Sequence, residues 1–171
     1  MDILLISVII LLSIFFIWIS SCFFGAPFQP ISNKALKRMT ELAKIKKGDK
    51  VADLGSGNGK IVIEFAKRGA EVHGFEINPL LVLWSRHRIR NLGLENRAFV
   101  HWKNFMRANL SSFNMITSFQ ISYIMPELEK KLQRELKKGS KVISDTWKFP
   151  SWIPKKKLSY GLGNVYLYVK N

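Results

Sequence analysis

Asp53-Leu54-Gly55-Ser56-Gly57-Asn58-Gly59 lies between a short apolar run at 51–54 and a stretch at 60–67 with helical spacing. Glycines in such a loop let the backbone turn sharply and approach a ligand closely, because no Cβ stands in the way. Their spacing narrows the ligand. A dinucleotide fingerprint spaces its glycines G-x-G-x-x-G, and a P-loop ends in Gly-Lys-Ser/Thr. This loop is G-x-G-x-G preceded by an acid, so neither phosphate motif fits. An acid at that place would repel a pyrophosphate and attract a cation. A second acid, Glu76, ends the next apolar run 23 residues after Asp53. A carboxylate there can accept from both hydroxyls of a ribose, as it does in dinucleotide sites.

Outward from the loop, strands and helices alternate. Strands are predicted at 51–54, 72–77, 98–102, 115–119 and 141–145, and helices at 60–67, 79–91 and 126–137, with Gly69, Gly93 and Gly139 as stops. A further helix at 33–44, capped by Ser32 or Asn33, leads into the first strand. Near the end, Val165, Leu167 and Val169 alternate with Tyr166 and Tyr168 as in a final edge strand. The order implies an α/β fold: a Rossmann-like, doubly wound, mostly parallel sheet covered by helices, with ligands at the carboxyl ends of its strands. Only about 145 residues follow the anchor, so a sixth and seventh strand are expected to be abbreviated.

Residues 3–24 carry no charge and are rich in Ile, Leu, Phe and Val. As a helix they would be about 33 Å long, enough for a hydrocarbon core of about 30 Å, so one N-terminal transmembrane helix is expected, with membrane lipid as its partner. Trp18 suits the interface, and Ser7, Ser13, Ser20 and Ser21 can bond back to their own backbone. The alternatives are a cleaved signal peptide or a lipoprotein box ending at Cys22; both lack a leading basic residue. The division is then 1–26 anchor, 27–47 linker and leading helix, and 48–171 ligand-binding domain. Net charge is +15, and before residue 34 the one charged side chain is Asp2. Lysines and arginines after the span place the domain on the cytoplasmic side of a single-pass membrane protein and the N-terminus outside. Such a surface attracts anionic headgroups or nucleic acid. No nucleic-acid motif is visible, so membrane is the preferred reading. One cysteine excludes a disulfide framework within the chain, and His73, His87 and His101 have no metal-ligand spacing, so no metal is expected. Arg86, His87 and Arg88 read as a solvated helix face.

The D-x-G-x-G-x-G loop after a strand resembles the first motif of the seven-stranded methyltransferases. That resemblance implies S-adenosyl-L-methionine as cofactor, a ligand with an ammonium, a sulfonium and a ribose diol but no phosphate. It implies cofactor contacts from Asp53, Gly55, Ser56, Gly57 and Gly59, with Asp53 facing the ammonium and Glu76 the ribose. Asn104 stands where these enzymes commonly present an acid to the adenine amino group, and its amide oxygen can accept the same bond. Phe105 is placed to pack on the adenine face, with core packing as the alternative. From 27 to 154 the chain resembles more closely the membrane-anchored lysine methyltransferases that modify the adenine nucleotide translocase and the c-ring protein of ATP synthase. The matching blocks are Pro27-Phe28-Gln29-Pro30, Asp53 to Gly57, Gly74-Phe75-Glu76-Ile77-Asn78-Pro79 with Leu81-Val82, Ser85-Arg86, Leu128 to Leu136 with Gly139, Val142-Ile143-Ser144, and Phe149-Pro150 with Trp152. Departures are Asn58, Asn104 and the stretch 120–125. The resemblance implies a protein-lysine substrate, and a mitochondrial membrane if the source is eukaryotic; short prokaryotic forms also exist.

Methyl transfer from a sulfonium is an in-line displacement that asks the protein for alignment and dryness. A lysine acceptor must first lose a proton, so an acceptor group near the incoming nitrogen is expected. Asp145, at the end of the fifth strand, is the best-placed candidate catalytic residue; a loop cap or salt bridge is the competing reading, and Glu127 and Tyr123 are further candidates. Trp147 and Trp152 read either as walls of an acceptor channel or as ordinary packing. Two other readings stay open: methylation of RNA or a small molecule, and a non-catalytic membrane-anchored scaffold.

Overall fold

The computed structural model describes residues 3–24 and 29–171, the side chains of 17–24 excepted. Helix α1 (Ile3–Phe24) has no charged residue at either end, and its serines bond backwards as expected: Ser7 Oγ to Leu4 O and Ser13 Oγ to Ile9 O, each 2.8 Å. Side chains are described for 3–16, about 21 Å of helix at 1.5 Å per residue. Over the described residues no helix is long and apolar enough to cross a membrane. The described side chains of α1 are exposed and, Ser7 and Ser13 apart, apolar. The side chains of Trp18 and Cys22, and all of 25–28, lie outside the described residues.

The rest of the chain is a seven-stranded sheet between two layers of helix. Strands β1 (Lys50–Leu54), β2 (Glu71–Glu76), β3 (Ala98–Trp102), β4 (Met115–Ser118) and β5 (Lys141–Asp145) are parallel. The hairpin β6 (Lys156–Tyr160) and β7 (Gly163–Val169) completes the order β3-β2-β1-β4-β5-β7-β6. The chain reverses direction across the sheet between β1 and β4, so their carboxyl ends form the crevice in which such folds hold ligands. On one face lie α2 (Asn33–Ala43), α3 (Lys60–Lys67) and α4 (Pro79–Asn91), burying Met39, Phe65, Val82 and Ile89 against Val51, Val72 and Ile143. On the other lies α5 (Met125–Glu135), with Leu128 and Leu132 fully buried against Leu54, Ile116 and Val142. α2 is capped by Ser32, whose hydroxyl takes the Ala35 N–H at 3.1 Å, and it packs on β5, β6 and β7.

Two expectations about the C-terminal part are corrected. β7 is not an edge strand: it sits between β5 and β6, antiparallel to both. The sixth and seventh strands are not abbreviated but run five and seven residues. β6 takes the edge with Lys156, Lys157 and Ser159 turned to solvent, a composition that discourages further strand pairing.

Candidate functional site

The glycine loop turns out of β1 through three left-handed residues, Gly55 (φ +73°), Gly57 (φ +54°) and Gly59 (φ +74°), where a side chain would be strained. Sterics add to the demand. A Cβ on Gly55 would lie 2.6 Å from Gln120 Nε2, and one on Gly59 would lie 2.8 Å from the Ser85 Cβ. Gly74 in β2 is bare for a related reason, since a Cβ there would meet Ser56 Oγ at 2.6 Å. The Gly55 and Ser56 N–H groups both donate to Phe75 O, so the loop rests on β2.

Glu76 ties the cradle together. Its Oε2 accepts the Gly57 N–H at 2.8 Å, and its Oε1 accepts the N–H groups of Ile77 and Asn78 at 2.9 and 2.8 Å. It is a bound strand-end carboxylate, not a solvated loop acid, and Oε2 keeps lone-pair capacity for another donor. Asn78 then caps α4 by accepting from Leu80 N at 2.9 Å. Asp53 is 2 % exposed; Oδ1 accepts the Thr117 hydroxyl at 2.7 Å, while Oδ2 is buried without a partner. Burial pushes its carboxyl up to about 7, the Thr117 hydrogen bond opposes the shift and the nearby Glu76 adds to it. Ser56 Oγ and Ser118 Oγ, at the same ends of the strands, are also buried without a partner. These orphaned groups beside a glycine cradle fit a ligand that brings hydrogen-bond donors and a positive charge, and the acids do not suit a phosphate.

Sequence reasoning did not single out Thr117 or Gln120, which complete the loop's support. Gln120 Nε2 donates to Leu54 O at 2.6 Å and fills the space Gly55 leaves open. The stretch 120–125 offers no pattern that announces this; the contact is 66 residues apart in sequence. Arg86 and His87 are exposed, as a solvated face requires, and half-buried Arg88 turns toward the loop. Arg88 donates to Asn58 O in the loop at 2.8 Å, and Arg86 to Val100 O at 2.9 Å.

Asn104 is exposed and spends its amide oxygen on the Met106 N–H at 2.8 Å, capping a short 3-10 turn; Phe105, half-buried, packs against the α5-side core. Asp145 opens onto the same edge as Asp53 and Glu76 and is 1 % exposed. It accepts from the Tyr160 hydroxyl at 2.5 Å across β7, where bare Gly163 leaves room for the Tyr160 ring. Burial raises the Asp145 carboxyl, with the Tyr160 hydrogen bond opposing, and the Tyr160 hydroxyl is pushed up to about 12 by its own burial and then by Asp145. No salt bridge holds Asp145 among the described residues, but its carboxylate also takes a backbone hydrogen bond from Thr146 just after the strand, as the loop-cap reading expects. Trp152 packs on Phe149 and Tyr168 with ring centroids 5.6 and 5.3 Å away. Trp147, Tyr123 and Glu127 are exposed at this end of the sheet. His73 and His101 face each other across β2 and β3 at 2.9 Å, and among the described residues no group of His, Cys, Asp and Glu is arranged to hold a metal.

Residues 53–156 match the family model described as ANTKMT methyltransferase domain. The chain is 34 % identical over 142 residues to the Mus musculus lysine N-methyltransferase of the ATP synthase c-ring protein, covering 83 % of this chain and 57 % of that one. It is also 34 % identical over 149 residues to a protein-lysine N-methyltransferase of Saccharolobus islandicus, covering 84 % of this chain and 92 % of that one. Among solved structures, an RNA methyltransferase from Salinibacter ruber in complex with S-adenosyl-L-homocysteine superposes with a TM-score of 0.80 at 27 % identity, over 82 % of this chain and 93 % of that one. The chain spans 57 to 65 % of the length of the vertebrate relatives it matches.

Proposed function

The chain belongs to the ANTKMT methyltransferase domain family, and on that premise we propose that it is an S-adenosylmethionine-dependent protein-lysine N-methyltransferase acting on a membrane-associated protein. The observation that carries the reading is the glycine cradle closed by Glu76 beside the buried, unpartnered Oδ2 of Asp53. In this reading Glu76 receives the ribose, Asp53 the ammonium, and Gly55, Ser56, Gly57 and Gly59 shape the cradle; Asn104 and Phe105 border the adenine. When bound, the cofactor supplies an activated methyl group on a positively charged sulfur. The protein's own work is to hold that group in line with the acceptor nitrogen and to keep water away. Asp145, buried and raised above the usual carboxylate range, is the group assigned to take the ammonium proton from the lysine, and Tyr160 orients it.

For location, α1 is assigned as the membrane anchor, with the N-terminus outside and the domain on the cytoplasmic side; in a eukaryote the membrane would be mitochondrial. The uncharged α1 and the basic residues that follow it support this. The test is incubation of the full chain with membranes and cofactor carrying a labelled methyl group, then acid hydrolysis. Label in methyl-lysine, with Glu76→Ala weakening cofactor binding about 10- to 100-fold, is the expected outcome, since each hydrogen bond to a charged group contributes about 1.5–3 kcal/mol. The likeness to an RNA methyltransferase favours a second reading, methylation of RNA. Label confined to RNA would replace the lysine reading with that one.

A further inference from the structure

Outside α1, nine large apolar side chains among the described residues are more than a third exposed, and seven of them gather at the carboxyl ends of the strands, around the cofactor cradle. Leu80, Leu83 and Trp84 lie in the upper half of α4, which begins just after Glu76. Trp102 ends β3 and is 67 % exposed, although its indole N–H is held by Ile77 O at 2.9 Å. Tyr123 follows β4, Trp147 follows β5, and Leu162 forms the turn between β6 and β7 beside Asp145. The two exceptions, Leu92 after α4 and Ile153 before β6, lie toward the other end of the sheet. Water is a poor environment for such a ring of side chains, and a concentration of this kind marks an interaction surface.

The chain's own path says what covers it. Lys60, the first residue of α3 next to Gly59, donates to Ile31 O at 2.8 Å, so the segment coming from α1 meets the domain at this same rim. From there α2 runs down to the opposite edge, where Lys141 at the start of β5 reaches Ala43 O at 3.0 Å. Six residues separate Phe24 from Ile31, and the seven Cα steps, even fully extended, reach about 25 Å at most. The rim is thereby kept close to the end of α1 while the far edge is not. The composition also suits a boundary between water and lipid. Trp102 and Trp147 are each followed by an exposed lysine, Lys103 and Lys148, and Arg107 is exposed nearby; Glu127 in the first turn of α5 is the exposed acid on this side. Tryptophan and tyrosine favour the headgroup level of a bilayer, and exposed basic residues are drawn to anionic lipid.

We propose that the carboxyl-end rim of the sheet rests on the interface of an anionic bilayer, so that the cofactor cradle opens toward the membrane and accepts lysines held at headgroup level. This rests on the reading of α1 as the anchor. The test uses the full chain in vesicles of phosphatidylcholine and phosphatidylglycerol, some with brominated acyl chains. Each protein carries Cys22→Ser and one environment-sensitive fluorophore on a cysteine replacing Ile10, Trp84, Leu92 or Leu162. The expected result is blue-shifted emission and quenching at 10, 84 and 162, with position 92 left in water. Quenching at 10 alone overturns the proposal and leaves the anchor intact. Emission from water at 10, 84 and 162 together overturns the anchor and the proposal. Protection of 84 and 162 that needs added substrate protein and not lipid also overturns it, assigning the rim to a protein partner.

Discussion

A single buried oxygen makes Asp53 informative. Its carboxyl stands at about 7 in the folded chain against 3.8 as an ordinary aspartate, because burial disfavours its charge. The folded state therefore holds a proton that the unfolded chain has released, and that contribution to stability is complete below pH about 4 and lost as pH rises through about 7. Without cofactor, denaturant midpoints are expected to fall across that window, and to fall less in Asp53→Asn, where the raised Asp145 carboxyl still contributes. Cofactor affinity should run the other way, rising across pH 7 as the carboxylate forms to meet the ammonium, and titration calorimetry of the two forms checks both signs. Asp145 offers a second residue-scale test. Tyr160→Phe removes the hydrogen bond that opposes its raised carboxyl, so the acid limb of kcat/KM against pH should move to higher pH. An unmoved limb would make Asp145 structural. The two acids of the cradle were legible in the sequence because strand-loop-helix spacing places them. Thr117 and Gln120 were not, because what makes them part of the site is strand pairing and a side chain folded back over a loop, neither of which leaves a local pattern.

At the scale of the element, the cradle depends on bareness. Gly55→Ala forces a left-handed φ on a residue with a Cβ and drives that carbon to 2.6 Å from the Gln120 amide, whose bond to Leu54 O holds the end of β1. The backbone strain alone costs about 1–2 kcal/mol. The expected outcome is a lowered thermal midpoint together with lost cofactor binding, whereas Gly93→Ala, with open space around it, should lower the midpoint and leave binding unchanged. Most of β1 to β5 and the helices between them were readable from apolar runs and from the stops Gly69, Gly93 and Gly139, while β4, with Thr117 and Ser118 in a four-residue strand, gave the weakest pattern. β6 escaped because Lys156, Lys157 and Ser159 hide a strand whose inward positions are only Leu158 and Tyr160. Once β6 is missed, β7 with its alternating valines and tyrosines looks like an edge.

The whole molecule separates into an apolar helix and a domain whose two cores contain no residue of α1 among those described. A chain lacking 1–28 is accordingly expected to bind cofactor unchanged, by calorimetry, and, with α1 as the proposed anchor, to lose most of its activity on membranes, since a tether supplies local concentration rather than contacts in the cradle. Raising salt should reduce what membrane association the shortened chain retains, because that part rests on screened charge. The placement of β7 bears on the molecule before it is finished. α2 buries Ala35, Met39, Leu42 and Ala43 against strands that lie more than a hundred residues further along, and β7 must slip between β5 and β6 to close the sheet. On the ribosome, at about 5–20 residues per second, the apolar side of α2 waits roughly 6–25 s after synthesis for its last neighbour to emerge. During that interval the nascent chain presents a sticky helix just beyond the apolar α1, which makes the unfinished protein a client for chaperones before it is an enzyme.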